Sequence, residues 1–263
     1  MFPGFASEFH KLDPSEREAA LRAALDQSRA AGELRVIAGV ADHATLLAER
    51  SAVHAVEMGA HAVNLLPPHF LGPTATEVHD HVSTVLAAVA PTPVILQLAP
   101  AFTGATVTTD DVMVLARHHE NLRLVKVESV PPGPIVTALA AGHPSVRAII
   151  GTAGMHMVDG LRRGAIGVQP GCSFTELYVR IWDDWHSGDT GAAEDLHRRM
   201  LPYLAYWMTS VELIVTVEKL ISHRRGLIAT AECRRPKRSL DSEEVATVDR
   251  FLHEFAGFLT QVN

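Results

Sequence analysis

Through the first two-thirds of the chain, short apolar runs alternate with longer segments whose apolar residues recur at helical spacing, the pattern of parallel β/α units. The runs predict strands over Leu34–Val40, His61–Leu66, Pro93–Leu98, Leu122–Val127, Val146–Gly151 and Ala165–Gln169. Amphipathic segments between them predict helices near Thr45–Met58, Thr76–Val89, Thr109–His119, Pro134–Ala141 and Met155–Arg163. Strand starts recur every 19 to 32 residues. After Phe174 the strand signals stop, and helical patterns fill Phe174–Trp185, Ala192–Trp207, Val211–His223 and Ser242–Thr260. No Gly/Ser linker interrupts the chain, so the expected architecture is α/β: a (β/α)8-type TIM barrel over residues 1–188, with C-terminal helices over 189–263 packed on it.

The strand count falls short of that architecture. With a strand end at Phe2–Ala6 the runs number seven, where a closed barrel has eight. Either the barrel is open or the chain lacks its first β/α unit, a segment of about 30 residues in that fold.

Composition narrows the function classes. The 263 residues are 47% hydrophobic and 20% charged, with 18 Gly and 15 Pro, which suits a compact globular protein. Net charge is −7 and no Lys/Arg block is present, so neither nucleic acid nor an anionic membrane is an expected partner. The longest uncharged stretch, Val82–Thr109, is broken by Pro91, Pro93, Pro100 and Gly104 and predicts no membrane span. No secretory signal is visible at Met1–Phe5, and the two cysteines, Cys172 and Cys233, fit a reducing cytoplasm better than a disulfide framework. A small-molecule role is what remains.

Lys126, in the run Leu122-Arg123-Leu124-Val125-Lys126-Val127, is the residue that most needs an explanation, because a parallel strand is covered on both faces and a lysine is costly to bury there. Strand alternation puts Glu128 on the same face, at the C-terminal end where the active sites of β/α barrels gather. A desolvated lysine beside a proton acceptor is the arrangement that makes an amine nucleophilic enough to form an imine with a ketone. An edge-exposed or ion-paired lysine is the plainer alternative. Glu128 likewise has two readings, a base or a cap for the helix that follows Pro131-Pro132.

The segment Val94-Ile95-Leu96-Gln97-Leu98-Ala99-Pro100-Ala101-Phe102-Thr103-Gly104, followed one unit later by Val125-Lys126-Val127-Glu128-Ser129, resembles the dihydrodipicolinate synthase/N-acetylneuraminate lyase family. So do Gly4-Phe5-Ala6-Ser7-Glu8, Leu66-Pro67-Pro68, Gly151-Thr152-Ala153-Gly154 and Arg163-Gly164-Ala165-Ile166-Gly167-Val168-Gln169-Pro170-Gly171, in the same order as in that family. The resemblance implies a metal-independent class I lyase, with a barrel and C-terminal helices, that assembles as a homodimer or homotetramer. It makes Lys126 the Schiff-base lysine for pyruvate or another 2-oxo acid, with no cofactor beyond that covalent imine. It also starts at the end of the family's second strand, which would account for the short strand count.

Several positions depart from the family pattern. Gln97 stands where the family carries a proton-shuttling tyrosine, and an amide is no general acid or base near neutral pH. Phe5 and Ala6 replace two threonines that bind the substrate carboxylate, leaving backbone N–H groups and the Ser7 hydroxyl for that task. Phe102 replaces the arginine that receives a distal carboxylate in synthase members, which argues against a lysine-biosynthesis enzyme. Gly151 and Val168 are assigned to substrate contacts by the same likeness. Lys-x-Glu resembles the sugar-acid dehydratase branch, so Glu128 is a candidate for removing the C3 proton of a 2-oxo-3-deoxy sugar acid.

The remaining candidates are weaker. His79-Asp80-His81 and His118-His119 sit at helical spacings that do not converge on a metal. Gly151–Gly154 lacks the Lys-Ser/Thr ending of a nucleotide loop. The expectation is a pyruvate-type aldolase or a 2-oxo-3-deoxy sugar-acid dehydratase; the rival is a catalytically impaired 2-oxo acid binding protein or remnant.

Overall fold

The computed structural model describes residues 1–4, 7–32, 34–69, 72–100, 107–142 and 145–260. Its chain contacts divide it into two compact units: residues 1–4, 12–151 and 159–167 in the first, residues 5–11, 152–158 and 168–263 in the second.

The first unit opens with α1 (Pro14–Ala31), a helix announced by a capping box in which Asp13 accepts from the Glu16 N–H and Glu16 accepts from the Asp13 N–H. Then follow β1 (Ile37–Val40), α2 (Thr45–Met58), β2 (Ala62–Leu65), α3 (Ala75–Val89), β3 (Val94–Leu98), α4 (Thr109–His118), β4 (Leu122–Val127), α5 (Gly133–Gly142) and β5 (Arg147–Ile150). The five strands form one parallel sheet in chain order. Capping boxes start α3 (Thr74 with Glu77) and α4 (Thr108 with Asp111), and Gly59, at φ 106°, ends α2 in the left-handed conformation that glycine adopts without strain. Helices α2 and α3 each bury a stripe, Ala48, Ala52 and Ala55 from α2, Val78, Val82, Val85, Leu86 and Val89 from α3, and α2 packs on β1 and β2. Every residue of β3 is buried, as a strand covered on both faces should be.

Two expected strands are not strands of the sheet among the described residues. Around Ala165–Gln169 the chain makes two ladder bonds with β5, Ile166 N–H to Ala148 and Ile150 N–H to Gly167, and Val168 forms an isolated bridge, without a continuous strand. At Phe2–Ala6, Phe2 forms an isolated parallel bridge to Ala38, bonded to Ile37 and Gly39, while residues 5 and 6 lie outside the described residues. Among the described residues there are thus five strands, not the six runs and a strand end of the sequence pattern. A run of apolar residues becomes a strand only where a neighbouring backbone pairs with it along its length.

After the short helix α6 (Met157–Arg162), the second unit is helical: α7 (Thr175–Ser187), α8 (Thr190–Trp207), α9 (Val211–Arg224) and α10 (Ser242–Glu254). Phe174, Trp207, Phe251 and Phe255 are fully buried and meet in edge-to-face and tilted pairs, with ring centroids 4.9 Å apart for Phe174–Phe251 and 5.0 Å for Trp207–Phe251. Glu8, buried in this unit, pairs with Lys11 and Lys219 and accepts the Arg234 N–H. Among the described residues no helix is long and apolar enough to cross a membrane, and no group of three or more His, Cys, Asp and Glu side chains is placed to hold a metal ion.

Candidate active site

Strand pairing assembles the most polar part of the sheet. In the β3–β4 register Gln97 lies opposite Lys126, and the β4 backbone continues past Val127 with the Glu128 N–H donating to Leu98 at 2.8 Å. Lys126 and Glu128, two residues apart on one face, bring Nζ to 3.3 Å from Oε1. The second carboxylate oxygen accepts a short hydrogen bond, 2.6 Å, from Gln97 Nε2. Gln97 Oε1 in turn accepts from Asn64 Nδ2, on β2, at 2.8 Å. All four side chains are buried, with residue exposures of 2% for Asn64, 3% for Gln97 and 6% for Lys126 and Glu128.

A buried ion pair stands only when its charges are compensated by geometry and further hydrogen bonds. Here the ammonium and the Gln97 donor face the two oxygens of one carboxylate. Gly151, just beyond β5, keeps the space open: its N–H bonds to Val127, and a Cβ there would come within 2.6 Å of Glu128 Cδ. The site therefore needs glycine at 151 for room rather than for backbone conformation.

The turn after Gly151 belongs to the second unit. Thr152, Ala153 and Gly154 all take left-handed φ, at 51°, 49° and 71°. For the two non-glycine residues this costs about 1–2 kcal/mol each, so the turn must be held. The Tyr178 hydroxyl donates to the Ala153 carbonyl at 2.7 Å. His197 Nε2 lies 2.9 Å from the Gly154 carbonyl, and because a carbonyl only accepts, that nitrogen carries the proton. Burial pushes the Tyr178 phenol well up, helped by the charge of Glu218, and burial pushes the His197 imidazole down against the Gly154 carbonyl. Both side chains are neutral anchors at neutral pH.

Of the residues singled out from the sequence, Gln97, Lys126, Glu128 and Gly151 come together in the first unit. Ser7 and Val168 belong to the second unit, and Phe5, Ala6 and Phe102 lie outside the described residues. Sequence reasoning overlooked Asn64, although an amide inside the apolar run Val63-Asn64-Leu65-Leu66 is a signal of the same kind as Lys126. It also passed over Tyr178 and His197, whose partners are backbone carbonyls that no sequence pattern reveals.

A model of the dihydrodipicolinate synthetase family matches residues 2–255. Among curated proteins, a "DapA-like lyase" of Halobacterium salinarum is 30% identical over 192 residues, 72% of this chain and 61% of that protein. The matched stretch thus spans about three fifths of that relative's length. Escherichia coli YjhH, named "Probable 2-dehydro-3-deoxy-D-pentonate aldolase", is 24% identical over 220 residues, 82% of this chain and 72% of its own. Among solved structures, the E. coli prophage protein YagE, of the dihydrodipicolinic acid synthase family and solved in complex with pyruvate, superposes with a TM-score of 0.87 at 22% identity, covering 96% of this chain and 85% of YagE. That likeness shows the fold, an α/β fold with a parallel sheet of the TIM-barrel type.

Proposed function

The chain belongs to the dihydrodipicolinate synthetase family, and from that premise we propose that it is a Schiff-base-forming lyase of a 2-oxo acid. The observation that carries this reading is the dry triad of Lys126, Glu128 and Gln97 on adjoining strands. Lys126 attacks only as the free amine, and Glu128 Oε1, 3.3 Å from Nζ, is the group that takes its proton. Addition to the 2-oxo carbon and loss of water give an iminium, which draws electrons from C3 and needs neither metal nor organic cofactor.

From the iminium two outcomes are open to a 2-oxo-3-deoxy sugar acid. Cleavage of the bond between C3 and C4, with the C4 hydroxyl proton passing to Glu128, releases an aldehyde and leaves the pyruvate enamine on Lys126. Removal of a C3 proton by Glu128, followed by departure of a hydroxyl as water, keeps the carbon chain whole. Glu128 beside Lys126 favours dehydration; the aldolase named among the relatives favours cleavage. Gln97 takes no proton itself near neutral pH and serves by holding the carboxylate. Phe102 offers no charge to a distal carboxylate, so the substrate is a sugar-acid type of 2-oxo acid rather than one from lysine biosynthesis. The setting that fits is a cytoplasmic homodimer or homotetramer acting on a small molecule, without nucleic acid or membrane.

Incubation with pyruvate and borohydride, followed by peptide mass spectrometry, tests the reading. A reduced pyruvate adduct on Lys126, absent from Lys126→Ala, is the expected result. A folded, monodisperse protein that binds pyruvate without forming the adduct would favour the rival, a 2-oxo acid binding protein, which the amide at position 97 supports.

A further inference from the structure

Asn64 is a buried amide where an apolar residue would fit the strand. Its neighbours on β2, Val63 and Leu65, are fully buried, and Asn64 Oδ1 is itself buried with no hydrogen-bond partner among the described residues. A residue kept for stability alone would not leave an orphaned acceptor in the sheet. The direction of hydrogen bonding along the row explains the choice. The Glu128 carboxylate paired with the Lys126 ammonium accepts hydrogen bonds and donates none, so Gln97 must turn its NH2 toward β4. That turn leaves Gln97 Oε1 facing β2, where only a donor satisfies it, and Asn64 Nδ2 is that donor at 2.8 Å. The atom left over is then Asn64 Oδ1, the one observed without a partner.

We propose that Asn64 is a positioning residue: it locks the Gln97 carboxamide with its donor on Glu128, and through that bond holds the Glu128 carboxylate in place against Lys126. Without Asn64 the Gln97 Oε1 has no donor on the β2 side, and the carboxamide, held only by its bond to Glu128, tilts and lets the carboxylate shift from the ammonium. Asn64 acts only through Gln97, at two hydrogen bonds from the carboxylate. The inference rests on the reading of Glu128 as the base at C3.

Pyruvate itself reports that step. In D2O the Lys126 iminium gives up a C3 proton to Glu128, the electron pair moves to the iminium nitrogen, the carboxyl proton exchanges with D2O, and a deuteron returns from the carboxyl group to C3. Exchange of the methyl protons is followed by NMR beside borohydride trapping at Lys126. Asn64→Leu and Asn64→Asp are expected to slow exchange about tenfold, a modest part of a general base's contribution, while the end-point yield of trapped adduct, which counts the Lys126 amine and not the speed at which it loses its proton, stays within about twofold of the unsubstituted protein. In a Gln97→Leu background Asn64→Leu is expected to add nothing, since the two residues act in series. The Gln97 side-chain NH2 resonances, read in the free protein, are expected to shift in both Asn64 variants. Equal slowing in both backgrounds, or unchanged exchange in Asn64→Leu, overturns the inference. An unsubstituted protein that neither traps nor exchanges pyruvate overturns the lyase reading instead; in that case unmoved Gln97 resonances in the Asn64 variants still overturn the placing of the amide.

Discussion

Gly151 is the residue on which the room for Glu128 depends. Its replacement by alanine puts a methyl carbon within 2.6 Å of Glu128 Cδ, so the carboxylate must leave its position between Lys126 and Gln97. Gly151→Ala is expected to slow the C3 exchange of pyruvate about tenfold or more, within the range of losing a general base. The trapped adduct at Lys126 is expected to form more slowly, its proton acceptor being displaced, but to reach the same end-point yield, because the amine itself remains. Equal loss of both signals would show that the added methyl disturbs β4 as a whole. Gln97→Leu should fall in the same class, since it strips one hydrogen-bond donor from a buried carboxylate.

Elements bring these residues together because the sheet is parallel and in register. Gln97 opposes Lys126 only with β3 and β4 paired as they are; a slip of one residue would turn the polar face of either strand the other way. The helix α1 carries a different lesson. It buries only Leu21, Leu25 and Ser28, too thin a stripe for apolar periodicity to announce it, yet its start is written in Asp13-Pro14-Ser15-Glu16. Asp13→Ala removes one half of that box, and thermal unfolding is expected to show a Tm lower by about 2–4 °C. Gly39, on β1, faces the Pro3 carbonyl so closely that a Cβ would overlap it. Gly39→Ala is therefore expected to free residues 1–4 from β1, seen as faster amide exchange at Phe2 and Gly39.

The pH dependence of stability is a property of the whole molecule, and here two buried carboxylates oppose each other. Burial pushes Glu8 up, but the hydrogen bonds and charges of Lys219 and Lys11 outweigh it and hold the group below its ordinary value of 4.5. Its contribution is present above 4.5 and is lost as pH falls through the depressed value. Glu218 is raised above 4.5 by burial, against the bond from Ser173, so its contribution is present below 4.5 and fades as pH rises through the raised value. Melting curves from pH 3 to pH 8 separate the two. Glu8→Gln is expected to melt lower at neutral pH and to lose less than the unsubstituted protein as pH falls below 4.5; Glu218→Gln is expected to remove the part of the decline above pH 4.5 that Glu218 causes. A parallel acid limb in Glu8→Gln would mean that other lowered carboxylates, such as Glu176 and Glu244, dominate it.

What the sequence determined by itself were the features that depend on neighbours along the chain. The period of the apolar residues marked α2 as Thr45–Met58 and β4 as Leu122–Val127, the bounds they have in the structure, because helix and strand are local geometries with fixed repeats. Alternation along β4 put Lys126 and Glu128 on one face for the same reason. Only the tertiary structure decided which strands are neighbours, and with that the Gln97–Glu128 bond, the Asn64–Gln97 bond and the clearance at Gly151, which join residues 31, 33 and 23 positions apart. It also decided that Ala165–Gln169 pairs with β5 through two bonds without becoming a continuous strand. Hydrogen bonds across strands and the room left by a missing methyl are set by which backbones lie side by side, and one-dimensional periodicity carries no information about that.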